Sequence, residues 1–340
     1  MEEPILQIEN LHTSFHTRAG EVQAVRGLSF QLQKGEILGI VGESGSGKSV
    51  TALSILDVLP ENAFHSEGKI LFEGKDLLKA TKKELRKVRG GQISMVFQDP
   101  MTSLSPLMKI GKQIEEAILQ NVQGATKEQA RAKALEMLRK VHIPDPESHY
   151  GCYPHELSGG MRQRVMIAIA LSCDPKIVIA DEPTTALDVT IQKQILLLLK
   201  EMCREMQLSV IFITHDLGVV AQLCDRVVVL YGGLKMEEGT VFELFENPGH
   251  PYTMGLLESV PRVDQDKNAR LQPIPGSPPD LLSPPQGCPF YSRCRYARRL
   301  CVSERPEKIM LSQTHGSACW LNHPGAPAAG NPFAERQVGR

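Results

Sequence analysis

Residues 42–49 read Gly-Glu-Ser-Gly-Ser-Gly-Lys-Ser, a match to G-x-x-x-x-G-K-[ST]. In such a loop the glycines let the backbone wrap closely. Successive N–H groups along Gly42, Glu43, Ser44, Gly45, Ser46 and Gly47 can then face phosphate oxygens. The stretch lies between an apolar run, Glu36–Val41, and a helical pattern opening at Ser49 and Val50, whose positive dipole end adds to the attraction. Lys48 is placed to bridge the β- and γ-phosphates of a nucleotide, and Ser49 to coordinate Mg²⁺. A second stretch, Lys-Ile-Val-Ile-Ala-Asp-Glu-Pro at 176–183, ends an apolar run in two adjacent carboxylates. Asp181 can hold Mg²⁺ through its water shell, and Glu182 can polarise an attacking water as a general base.

These side chains need a frame to hold them. Strand-like runs separated by turn residues dominate the first hundred positions. From about 110 to 143 apolar residues recur three and four apart, as in a helical segment. Beyond it, short β-branched runs (Lys176–Asp181, Ser209–Thr214, Arg226–Tyr231) alternate with amphipathic stretches, the pattern of a parallel, helix-covered α/β sheet. Past Pro261 the texture changes: Leu271–Pro289 carries seven prolines in nineteen residues, which excludes a regular helix or central strand and reads as an extended connector. Positions 326–340 are rich in Pro, Gly and Ala and are expected to be disordered.

Composition bounds the class. Of 340 residues, 41% are hydrophobic and 23% charged, with a formal net charge of −1. Near-neutrality gives no support to electrostatic nucleic-acid binding, and none is expected. No apolar run approaches the roughly 18 residues of a membrane span, and the acidic N-terminus lacks the order of a signal peptide. A cytoplasmic chain with reduced thiols is expected.

Leu-Ser-Gly-Gly-Met-Arg-Gln-Arg at 157–164 carries a resemblance. Standing just ahead of the second stretch, it resembles the signature motif of the ATP-binding cassette ATPases, with Met161 where the family has Gln. The resemblance covers about residues 5–260. It implies an α/β P-loop fold: a RecA-like parallel-sheet core, an N-terminal antiparallel β subdomain and an inserted α-helical subdomain at about 100–165. It implies ATP and Mg²⁺ as ligands, with Ser49, Gln98 and Asp181 on the metal and Gln98 in the loop that reaches the attacking water. His215, in Phe-Ile-Thr-His-Asp, matches the switch histidine that contacts the γ-phosphate, and Ala186–Asp188 matches the loop that crosses a dimer interface. The catalytic set so implied is Glu182, His215, Gln98 and Lys48. Ser158, Gly159, Gly160 and Asp188 would serve ATP bound to a partner cassette, so hydrolysis would require a dimer. Taken alone, Gln98 could be a loop cap and His215 a helix cap. For the adenine base the candidates are Phe15 and, as the alternative, His16.

Leu157 follows Gln98 by 59 positions with no sustained heptads, unlike cassette ATPases of chromosomes and DNA repair. The surroundings of Gln98 and of the signature, with Asn247–Arg262 and Gly287–Cys294, resemble the oligopeptide/dipeptide/nickel importer ATPases, closest to the oligopeptide members. That resemblance implies a peripheral subunit on the cytoplasmic face of the cell membrane. Its expected partners are two transmembrane permeases, a companion cassette ATPase in a heterodimer, and an extracytoplasmic substrate-binding protein. Import of nickel or another small solute is the nearest alternative, and a soluble regulatory ATPase is an alternative of another class.

The chain has eight cysteines. Cys152, Cys173, Cys203 and Cys224 are scattered and read as small buried hydrophobes. Cys288, Cys294, Cys301 and Cys319 are spaced C-x5-C-x6-C-x17-C, wider than the tight pairs of structural zinc sites and suited to a larger object such as an iron–sulfur cubane. The resemblance implies a [4Fe–4S] cluster here; zinc and unmetallated thiols are the alternatives, and His315 is a spare donor, with helix- or loop-surface duty its favoured reading. The expected division is a nucleotide-binding domain at 1–260, an extension at 261–325 folded largely by its metal, and the tail at 326–340. Because every nucleotide motif lies at or before His215, ATP binding is expected not to depend on the extension.

Overall fold

The computed structural model describes residues 3–184, 188–260 and 273–334. The strands are β1 (Leu6–Thr17), β2 (Gly20–Leu32), β3 (Ile37–Val41), β4 (Ala63–Phe72), β5 (Lys75–Asp76), β6 (Ile93–Val96), β7 (Ile177–Asp181), β8 (Ser209–Thr214), β9 (Arg226–Tyr231), β10 (Leu234–Thr240), β11 (Ile309–Met310) and β12 (Gly316–Ser317). The chain divides into two compact units: Met1–Ile5, Leu32–Ile37 and Glu73–Ile213 make one, and Leu6–Gln31, Leu38–Phe72 and Thr214–Arg340 the other.

The first unit has a parallel core. β6 runs beside β7 (Ile93↔Ile177) and β7 beside β8 (Ile177↔Ser209). Every residue of β7 and β8 is buried, which is why both read as unbroken apolar runs rather than alternations. Helices Ile110–Asn121, Lys127–Lys140 and Gly159–Leu171 pack on one another. They bury Ile114 and Ile118, Ala130, Ala134 and Met137, and Val165 with Ile167 and Ala168; within the first two helices these positions are mostly three or four apart, one face each. Thr126 and Gln129 close a reciprocal capping box at the start of the second helix.

The second unit contains an antiparallel sheet of order β2-β1-β4, with β1 and β4 in register from Leu6↔Phe72 to Phe15↔Ala63. It also holds β3, parallel to β9 (Leu38↔Arg226). β9 turns into antiparallel β10 through Gly232 and Gly233, both at positive φ, as a tight hairpin requires. Cys224 packs in this unit as a small hydrophobe, and a Cβ on Gly39 would meet its sulfur at 3.0 Å. Cys203, in the other unit, is likewise buried, whereas Cys152 and Cys173 are only half-buried.

The described part of the connector, 273–289, holds no helix or strand, while the segment beyond it adds to the sheet. β12 pairs antiparallel with β10 (Glu237↔Ser317), and β11 pairs with β12. Gln23 N–H donates to the Leu281 carbonyl, and Arg26 Nη2 to the Pro285 carbonyl at 3.1 Å. Buried Glu237 accepts the N–H groups of Gly249 and His250 and binds His315 Nε2 at 2.6 Å. Strand pairing, long-range hydrogen bonds and the buried Phe290, Leu321 and Phe333 together tie this segment down. Part of the tail, 326–334, is described as well. Phe333 is 1% exposed and packs with Cys319 and Leu321, beside Met254 and Tyr296, while Asn331 Nδ2 donates to the Leu321 carbonyl at 2.9 Å. One aromatic anchor orders a stretch whose composition reads as disordered; 335–340 lie outside the described residues.

Candidate active site

The phosphate loop is built from close approaches. A Cβ at Gly42 would sit 2.2 Å from the Leu230 carbonyl oxygen, and one at Gly47, where φ is +100°, 2.6 Å from the Ala24 carbonyl oxygen. No other residue type fits either place. Helix Lys48–Ile55 begins at Gly47 with no side-chain cap, so the loop supplies N–H donors that a bound anion can take. Lys48 is 6% exposed, and its Nζ donates to the carbonyls of Gly42 at 2.8 Å and Glu43 at 3.0 Å. Buried Ser46 Oγ has no hydrogen-bond partner among the described residues. An orphaned hydroxyl, an ammonium resting on carbonyls and a cradle that only glycine can line suit a polyanion. Ser44, Gly45 and Ser49 are exposed and Val50 is half-buried.

His215, in the same unit as the loop, follows β8 and is exposed. It is not the helix cap: Asp216 accepts the N–H groups of Gly218 and Val219 at the start of helix Leu217–Leu223. Phe15 is half-buried on β1. His16 is exposed, with its ring stacked on Phe64 at 4.3 Å and 18°.

In the other unit, Asp181 ends β7 at 7% exposure. Glu182 follows in the left-handed region, φ +46°, which it shares with seven other non-glycine residues among those described. Its N–H donates to the Ile213 carbonyl at 2.9 Å, and its carboxylate accepts Gln98 Nε2 at 3.2 Å. Gln98 and Glu182, 84 positions apart, are thus brought together, and Gln98 serves no loop-capping role in this contact. Ser158 caps helix Gly159–Leu171, its Oγ accepting the Met161 N–H at 3.3 Å. Gly160, in the first turn, faces Ile191, and a Cβ there would meet Ile191 Cγ2 at 2.8 Å. Asp188 caps helix Val189–Met206, accepting from Thr190 and Ile191 N–H at 3.0 Å each. Ala186 and Leu187 lie outside the described residues.

Two residues that sequence reasoning missed grip the loop itself. Glu43 N–H donates to Tyr252 Oη at 2.8 Å, and the Glu43 carboxylate pairs with Arg293. Arg293 stands in the cysteine-rich segment, and nothing local in the sequence links it to a position 250 residues earlier.

The four extension cysteines share one neighbourhood. Cys288 and Cys319 are buried, Cys294 and Cys301 half-buried. Burial pushes the Cys288 thiol up to about 12 and raises those of Cys294 and Cys319, and the thiols also act on one another electrostatically. Backbone N–H groups of Phe290 and Tyr291 serve Cys288, Tyr296 serves Cys294, Leu321 serves Cys319, and Arg298 serves Cys301. Among the described residues no group of three or more His, Cys, Asp or Glu is arranged to hold a metal ion. His315 is corrected as a spare donor: at 3% exposure it is engaged by Glu237. Nor, among the described residues, is any helix long and apolar enough to cross a membrane.

Comparison with known proteins bears on both halves. Residues 25–185 match the model of the ABC transporter family, and residues 236–301 that of the oligopeptide/dipeptide transporter C-terminal region. The chain is 53% identical over 326 residues to the dipeptide transport ATP-binding protein DppD of Lactococcus lactis subsp. cremoris, covering 96% of this chain and 93% of that one. It is 52% identical over 331 residues to the oligopeptide transport ATP-binding protein OppD of Bacillus subtilis, covering 97% and 92%. Among solved structures, a dimeric post-hydrolysis ATP-binding cassette bound to ADP and phosphate superposes with a TM-score of 0.63 at 30% identity, over 69% of this chain and 98% of that one.

Proposed function

The chain belongs to the ATP-binding cassette transporter family, in the group with the oligopeptide/dipeptide-type C-terminal region, and on that premise we propose that it hydrolyses ATP to drive peptide import through a membrane permease. The observation that carries this reading is identity of 52–53% over 96–97% of the chain to oligopeptide and dipeptide transport ATP-binding proteins.

Each candidate residue then has a task. The loop from Gly42 to Ser49 binds the phosphates, and Lys48 leaves its two carbonyls to neutralise the β- and γ-phosphates. Ser49, Gln98 and Asp181 hold Mg²⁺, which supplies charge neutralisation on the phosphates. Glu182 takes a proton from the attacking water, with Gln98 orienting its carboxylate, and His215 contacts the γ-phosphate. Phe15 or His16 stacks on adenine. Ser158, Gly159, Gly160 and Asp188 complete the site of a companion ATPase, as the dimeric state of the solved cassette supports. The assembly has two permeases, the companion subunit and an extracytoplasmic binding protein, with this chain peripheral at the cytoplasmic face of the inner membrane.

In the extension, the finer reading is a [4Fe–4S] cluster on Cys288, Cys294, Cys301 and Cys319. Four mutually interacting thiols with N–H groups aimed at them support it. A cubane takes one thiolate per iron, which suits the wide spacing of the four cysteines; zinc on the same thiolates is the alternative. Such a cluster supplies a cross-link to the segment.

The test is reconstitution. Proteoliposomes holding this chain with its companion ATPase, permeases and binding protein should accumulate labelled di- or oligopeptides only with internal MgATP. Uptake of nickel complexes with no peptide uptake would overturn the cargo. ATP hydrolysis with no membrane partner would overturn the transport role.

A further inference from the structure

Arg293 belongs to the short turn Tyr291–Arg293, between Cys288 and Cys294. It is the longest and most strongly charged side chain there, yet only 4% of it is exposed. A guanidinium so buried must have every donor met, and each of its five N–H groups has a partner. Nη1 donates to Glu43 Oε2 at 2.5 Å and to Tyr231 Oη at 3.0 Å. Nη2 donates to Glu43 Oε1 at 3.0 Å and to the Ile274 carbonyl at 3.1 Å, and Nε to the Pro275 carbonyl at 2.8 Å. The pair with Glu43 is a two-bond fork, the strongest geometry open to such a pair.

Glu43 is the second residue of the phosphate loop, and all three of its polar groups are committed. Its N–H goes to Tyr252 Oη, its carbonyl accepts Lys48 Nζ, and its carboxylate takes the Arg293 fork. Tyr231, Tyr252 and Phe290 pack as rings around this junction, with centroids 4.6–5.3 Å apart. A carboxylate in a loop that receives a polyanion is an electrostatic liability unless it is neutralised. Arg293 neutralises it, and the Glu43 carbonyl is one of the two that accept Lys48 Nζ.

We infer that Arg293 is a positioning residue of the nucleotide site, acting through Glu43 to neutralise that carboxylate and set the opening turn of the phosphate loop. The cysteine-bearing extension is therefore part of what binds nucleotide, contrary to the expectation that ATP binding does not depend on it. The inference rests on reading residues 42–49 as the nucleotide loop.

Equilibrium binding of MgATP to the full-length chain tests it, comparing wild type with Arg293→Ala, Arg293→Lys, Glu43→Gln and the double variant Arg293→Ala/Glu43→Gln. Arg293→Ala should weaken binding about tenfold, the scale of one charged hydrogen-bonded contact. Arg293→Lys should fall between, because an ammonium neutralises but cannot fork. The double variant should recover to within about threefold of wild type, since the uncompensated charge is gone. A scaffold role alone would leave the double variant as weak as Arg293→Ala or weaker. Unchanged affinity in Arg293→Ala, or no recovery in the double variant, overturns the inference. Where Arg293→Ala gives no folded protein, the neutral Arg293→Gln against Arg293→Gln/Glu43→Gln decides by the same sign. Wild-type chain that does not bind MgATP would instead overturn the reading of the loop beneath it.

Discussion

Replacing Glu182 by Gln isolates the proposed proton-accepting role with little else disturbed. The amide keeps the side-chain length, and its oxygen can still accept Gln98 Nε2, which stands at 3.2 Å from the carboxylate. The backbone stays at φ +46°, anchored by the N–H bond to Ile213. What disappears is basicity. Removing a general base costs about 10²- to 10⁴-fold in rate, or roughly 2.7–5.4 kcal/mol at 1.36 kcal/mol per decade. Steady-state hydrolysis by the reconstituted complex should drop by that factor while MgATP binding stays near wild type. Glu182→Gly supplies the structural control. A left-handed backbone strains a side-chain-bearing residue by roughly 1–2 kcal/mol, so glycine should leave the fold as stable or more stable while abolishing turnover. The reasoning fails if the Gln variant hydrolyses ATP within about tenfold of wild type, because Glu182 would then not be the base.

Other outcomes are equally specific. Burial raises the Glu243 carboxyl, but hydrogen bonds from Ser312, the N–H and hydroxyl of Thr240, and Thr314 outweigh it and hold the group at about 2 against an ordinary 4.5. A depressed folded value stabilises above the ordinary one and is lost on acidification. Glu243→Gln should therefore lower Tm at pH 7, with the gap closing between pH 4.5 and about 2; a gap independent of pH would refute it. Gly160→Ala forces a methyl to 2.8 Å from Ile191 Cγ2, an overpacking of about 1–3 kcal/mol, and Ile191→Ala should restore the lost Tm; an unchanged Tm in the single variant would show the contact to be soft. Anaerobically purified protein should carry about four irons per chain and a brown chromophore that Cys294→Ser removes, whereas stoichiometric zinc without iron would make the extension a zinc site.

What the sequence disclosed depended on whether the cause was contiguous. The phosphate loop and the paired acids at 181–182 are each one strand end with its turn, so their spacing survives in the linear order. β7 and β8 were equally plain, because burial on both faces leaves an unbroken β-branched run. The fork between Arg293 and Glu43 has no such trace, since its partners are 250 residues apart. β11 and β12 are two residues long and too short to show periodicity. Phe333 orders the tail with a single ring, which composition averages away. Phe15 and His16 are successive positions on β1, and pattern alone does not choose between them; the exposed, stacked ring belongs to His16.

β10 has β9 along one side and β12 along the other. Seven residues of pairing-competent backbone would otherwise be open to any extended segment that drifts past. β12 pairs with two of those positions, Glu237 and Glu238, and Lys308 sets a charge against Glu238 at the same border. A chain cut before β11 would lose that pairing and expose a long strand edge, which recruits copies of itself. The extension thus also covers part of that strand edge, a duty that has nothing to do with nucleotide.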